Sequence, residues 1–218
     1  MDELIVRIAR TLACMTRLKI MSHLARKKEA MPSALARDLG MGLDAVCMHL
    51  RRLSDAGLIV RRRSGARCYC VAASAYSQDT ISGKMSGWMN GLLADPGRTV
   101  KNYGVDQLRN SSSVGAEELI HGLLFEAMTA FTNVRRLAIL RRLAKGKPVT
   151  VETLMNELRM SDAAVSRHMG KLLRRGYVRA ASEGRCLTYR LSDRPKSALH
   201  KELYAMVAPR LEKATLRS

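Results

Sequence analysis

Between Ser161 and Gly176 the chain sets serines, arginines and a lysine at the spacing of a single helix face. At about 100° per residue, Ala163, Arg167, Gly170 and Arg174 share a line, with Ser166 and Lys171 on its flanks. Opposite them, Val165, Met169 and Leu172 form an apolar stripe suited to burial, and His168 sits beside that stripe. Ser161 can cap the helix by accepting an amide proton from its first turn, Asp162 suits its positive end, and Gly176 stops it. The free face is therefore a row of hydrogen-bond donors, and arginine can pair bidentately with a guanine edge in a major groove. A surface helix carrying solvated charge has the same pattern, so more than one stretch is needed to decide.

The chain contains that stretch twice. With a shift of 119 positions, Arg17–Gly65 aligns with Arg136–Gly184 without a gap, and 15 of the 49 pairs are identical. Among the identities are Arg17/Arg136, Leu24/Leu143, Leu35/Leu154, Val46/Val165, His49/His168, Leu53/Leu172 and Gly57/Gly176. Apolar positions matching in register mean that two copies of one fold bury the same faces.

Charge follows the copies. The net charge is +19, and residues 1–71 hold 14 Lys and Arg against 6 Asp and Glu, residues 118–218 hold 20 against 9, and the segment between is balanced. Basic excess confined to the repeats points to a polyanionic partner. No long apolar run or lipidation signal supports a membrane, and the amphipathic start, with acids first, is not a secretory signal. Five cysteines without framework spacing argue against a disulfide scaffold and for a reducing cytoplasm.

The elements that must position the donors follow from periodicity. Residues 2–13, 17–27, 33–39 and 43–56 read as helices, and 58–63 and 67–72 as two strands joined through Ser64-Gly65. A helix over 75–94 ends at Asp95-Pro-Gly97, and residues 96–115 have linker composition. The second copy repeats the order with helices over 116–131, 135–145, 151–158 and the capped helix. Strands 177–182 and 186–191 follow, with one extra residue at the tip if Tyr189 matches Tyr69, and a last helix runs over 194–214. The expected domains are 1–95 and 116–218 with a linker over 96–115. The expected class is mainly α with small β-hairpin wings: tandem winged helix-turn-helix domains forming an intrachain pseudo-dimer, the framing helices 2–13, 75–94, 116–131 and 194–214 packing together.

Leu137-Ala-Ile-Leu140, Leu154…Leu158, Val165-Ser-Arg-His-Met…Leu172…Gly176-Tyr-Val and Gly184-Arg185…Tyr189-Arg-Leu191 resemble the arsenical-resistance-repressor (ArsR-type) winged-helix transcription regulators. Arg17-Leu-Lys-Ile-Met21, Leu35…Leu39, Val46…His49-Leu50…Leu53…Gly57-Leu-Ile59 and Gly65 carry the same resemblance in the first copy. The resemblance implies a DNA-binding regulator. Family members are usually single-domain homodimers, so two copies in one chain imply pairing within the polypeptide. The metal-sensing patterns of that family, a Cys-rich third helix or an Asp/His/His/Glu set on the last, are missing here.

The two reading faces differ. In the second copy Ser161, Ala163, Ser166, Arg167, His168, Lys171 and Arg174 are the candidate DNA contacts. In the first they are Asp44, Cys47, Met48, His49, Arg51 and Arg52, with Asp55 also outward. The hairpins add Arg61, Arg62, Arg63 and Arg67 in the first copy, and Arg179 and Arg185 in the second; such groups grip phosphates without reading sequence. Each histidine suits a partly buried structural role as well as a contact. Cys68 and Cys70, two apart on a strand, together with Cys47 form a candidate thiol site for a soft metal or oxidant, set against a simpler reading as small buried residues.

No phosphate-cradling loop, nucleophile–base pattern or metal-ligand cluster appears, so neither an enzyme nor a cofactor is expected. The expected function is a cytoplasmic, sequence-specific regulator of double-stranded DNA, a repressor, with further homodimerisation and any effector left open. The rival is a winged-helix protein-interaction or architectural module with only non-specific nucleic-acid affinity. RNA fits less well, because no aromatic cluster is present to stack exposed bases.

Overall fold

The computed structural model describes residues 2–108, 114–183 and 186–213. The chain forms two compact units, one of Arg7–Phe125 and one of Met1–Val6 with Glu126–Ser218.

Helix α1 (Asp2–Leu12) is divided between the units; its later part buries Ile8 and Leu12 in the first unit, where α2 (Met15–Lys27) buries Leu18, Met21 and Leu24. A two-residue strand, β1 (Glu29–Ala30), leads into α3 (Pro32–Asp38), which begins on a proline whose missing amide proton is no loss at that position. Next comes α4 (Leu43–Asp55), whose Val46, Leu50 and Leu53 are fully buried. Gly57 then takes the left-handed conformation at φ +70, and a Cβ there would stand 2.5 Å from the Tyr76 ring, so only glycine ends this helix without strain. Strands β2 (Val60–Ser64) and β3 (Arg67–Val71) form an antiparallel hairpin, with β1 on the far side of β3.

Helix α5 (Ile81–Ala94) starts later than the expected residue 75, because Thr80 is its cap: the Thr80 hydroxyl accepts from the Gly83 amide at 3.0 Å. Part of the expected linker is helical. Asp95 accepts from the Arg98 amide at 2.9 Å, Pro96 takes the first position, and α6 (Pro96–Tyr103) buries Thr99 and Val100 before Gly104 ends it. Asp95-Pro96 is thus a start signal as well as a stop. Of the Asn110–Gly115 stretch, residues 110–113 lie outside the described residues. The N-terminal part of α7 (Ala116–Thr129) belongs to this unit: buried His121 meets the Ser22 hydroxyl of α2 at 2.7 Å, and Arg26 pairs with Glu117 at 3.0 Å.

The second unit follows the same plan with α8 (Val134–Leu143), α9 (Val151–Leu158), α10 (Asp162–Arg174), β4 (Val178–Glu183), β5 (Cys186–Leu191) and α11 (Ala198–Lys213). A backbone bridge between Val149 and Tyr189, with bonds of 3.0 and 2.8 Å, replaces β1. Val60 pairs with Val71 and Arg179 with Arg190, so the shift of 119 holds through both hairpins. Tyr189 therefore matches Cys70, not Tyr69, and the wings are equal in length. Both residues are buried at that position, which fixes the register.

The 119 register extends to side-chain contacts. His23 faces Asp38 at 3.5 Å, tying α2 to α3, and the equivalent Arg142 binds Glu157, tying α8 to α9. In the first unit Ser22 meets His121; in the second the equivalent positions are Arg141 and Asp2, paired at 2.6 and 2.7 Å. The core of the second unit closes on Phe131, Tyr177, His200 and Tyr204, with Phe131 edge-on to Tyr177 at 5.0 Å.

Candidate nucleic-acid interface

Helix α10 is sharply two-sided. Val165, Met169 and Leu172 are essentially fully buried, while Ser161, Ala163, Ser166, Arg167, Lys171 and Arg174 are exposed. The Ser161 hydroxyl accepts from the Ala164 amide at 3.4 Å, as the sequence predicts. Ser166 donates to Asp162 at 3.5 Å, leaving its oxygen free to accept. His168 does not join this face. It is buried, its pKa is lowered by burial and then by the nearby Arg136 charge, and its Nδ1 lacks a hydrogen-bond partner.

Arg136 explains that placement. Its guanidinium is buried, donating from Nε to the Ala130 carbonyl at 2.9 Å and from a terminal nitrogen to the Thr129 carbonyl at 2.8 Å. Arg17 makes the equivalent bonds to Thr11 and, at 3.0 Å, to Arg10, and it faces His49 Nδ1 at 3.5 Å. Each arginine caps the carbonyl end of the preceding helix, where a cation is favoured. His49 is half-buried against Arg17, and His168 is buried.

Helix α4 presents a different surface. Its cap is Gly42, with no side-chain bond. Asp44, Met48, Arg51, Arg52 and Asp55 are exposed, and Cys47 is half-buried. Leu43 and Met48 are also exposed, at 49% and 46%.

Arg61, Arg62, Arg63 and Arg67 are all exposed; Arg62 donates to Glu29 at 2.7 Å and lies 5.4 Å over the Tyr69 ring, and Arg61 bonds the Cys70 thiol. In the second unit Arg179 pairs with Asp193 at 2.8 Å and has a buried Nε without a partner; Arg185 lies outside the described residues. Burial, then the neighbouring Cys68, pushes the Cys70 thiol up to about 11, which disfavours the reactive thiolate. Among the described residues no three His, Cys, Asp or Glu side chains stand where they could hold a metal ion.

Residues 12–62 match the family model for a helix-turn-helix domain, and residues 133–180 match the model for bacterial regulatory proteins of the arsR family. The chain carries two winged helix-turn-helix domains in tandem, the second of them similar to the arsR family. Each match takes in a buried arginine, a reading helix and the start of a hairpin. These are domains of DNA-binding transcription regulators, not of enzymes. No curated protein matches the chain. Among the described residues no helix is long and apolar enough to cross a membrane.

Proposed function

We propose that this tandem ArsR-type protein binds double-stranded DNA sequence-specifically and represses transcription by occupying its operator, using two heads that are not equivalent. The observation that carries this is the outward face of α10: two serines, Arg167, Lys171 and Arg174 stand exposed on a helix whose other side is fully buried. Arg167 is the side chain best suited to guanine, whose O6 and N7 accept both arms of a guanidinium. Around α4 the exposed arginines Arg61, Arg63 and Arg67 supply backbone grip.

Pairing of the two copies within the chain is part of this reading. Two matching copies in one polypeptide are what supports it. Chains so paired need no partner to bring two heads to one operator.

The test is binding of the purified chain and its Arg167→Ala variant to a randomised duplex pool. The variant is expected to lose a guanine preference worth about 1–3 kcal/mol at one position while its non-specific affinity falls little. A protein-docking role for the first head, favoured by the exposure of Leu43 and Met48, would instead leave sequence preference absent in both proteins.

A further inference from the structure

The centre line of α4 is made by Asp44, Met48, Arg51 and Asp55, at spacings of four, three and four, and all of them are exposed. The equivalent line of α10 is Ala163, Arg167, Gly170 and Arg174. Met48 and Asp55 stand in α4 where α10 has Arg167 and Arg174, Asp44 stands in place of Ala163, and Arg51 in place of Gly170. Met48 is 46% exposed on that line, with a basic surround of Arg51 and Arg52 on the same helix and Arg61, Arg63 and Arg67 on the hairpin after it, all exposed. That surround fits a polyanion, while the carboxylates are repelled by phosphate and by the acceptor-rich edge of guanine.

One major-groove edge suits both features. Thymine projects its C5-methyl group there, and adenine and cytosine project an exocyclic amine that a carboxylate can accept from. We infer that α4 reads thymine methyl groups through Met48 and a neighbouring exocyclic amine through Asp44. The inference rests on the proposed function and names what its first head recognises. The two half-sites of the operator then differ in chemistry: a guanine under Arg167 and a methyl-rich step under Met48.

The experiment uses the full chain and the duplex it selects, with each thymine replaced singly by uracil, which removes the methyl group alone. At one or more thymines outside the part governed by Arg167, affinity is expected to fall about fourfold per methyl. The loss should vanish in Met48→Ala and persist in Met48→Leu. Asp44→Asn, which exchanges a carboxylate for an amide that can also donate, should admit guanine at the adjoining position. A selected motif whose thymines all tolerate uracil, or a uracil effect unchanged in Met48→Ala, overturns the inference and leaves the proposed function standing. A chain that selects no sequence at all overturns both.

Discussion

Arginine serves opposite purposes at different positions of this chain, and burial separates them. Arg17 and Arg136 are sunk into the fold, where burial lowers the Arg17 pKa and backbone carbonyls take up the donors. Arg167 is exposed and its donors face outward. Histidine has no such split: His23, His121, His168 and His200 are buried and His49 is half-buried. The pair identities Arg17/Arg136 and His49/His168 were visible in the sequence, but a helical wheel puts His168 on a boundary, and only the buried guanidinium beside it shows which way it turns.

His200 makes a residue-scale prediction. Its Nδ1 bonds Ser197 at 2.8 Å, its Nε2 is buried without a partner, and burial, then the charge of Lys196, pulls its pKa from 6.5 down to about 4. Glu126 opposes that shift and Arg175 adds to it. The unfolded chain holds the proton more tightly, so stability is full above about pH 6.5 and falls as pH drops towards 4. The gap corresponds to roughly 3 kcal/mol. Urea unfolding of the chain between pH 7 and 4.5 should show this loss, and His200→Gln should flatten it. An unchanged acid slope in the variant would place the sensitivity elsewhere.

At the scale of elements, the winged-helix order was legible because buried positions recur: Val46, Leu50 and Leu53 repeat as Val165, Met169 and Leu172. What escaped was local and polar. Asp95-Pro96 both follows the end of α5 and begins α6, since a cap and a break use the same residues. Wing arginines look alike in sequence, but Glu29, over thirty residues earlier, engages one of them. Arg61, Arg62, Arg63 and Arg67 are all exposed, and Arg62 is in addition tied to Glu29 and Tyr69. Changing Arg61, Arg63 and Arg67 together to alanine should lower affinity for all duplexes and reduce the slope of log affinity against log salt by about 3, at roughly 0.9 per phosphate contact. Adding Arg62→Ala should reduce it by less than one further contact. Salt titrations in which Arg62→Ala alone has the largest effect would contradict this division.

At the scale of the whole molecule, duplication lets the two heads diverge. A homodimer of single domains must carry identical reading helices, but here α4 and α10 share a buried face and almost nothing outside it. The contacts at matched positions diverge in the same way, Ser22–His121 in one unit and Arg141–Asp2 in the other.

The central claim is that one chain reads DNA with two different heads, and selection of bound duplexes from a randomised pool at moderate salt tests it most directly. The account predicts two unlike motifs about one helical turn apart, one containing a guanine whose preference disappears in Arg167→Ala. A palindrome, or salt-sensitive binding with no enriched sequence, would contradict it.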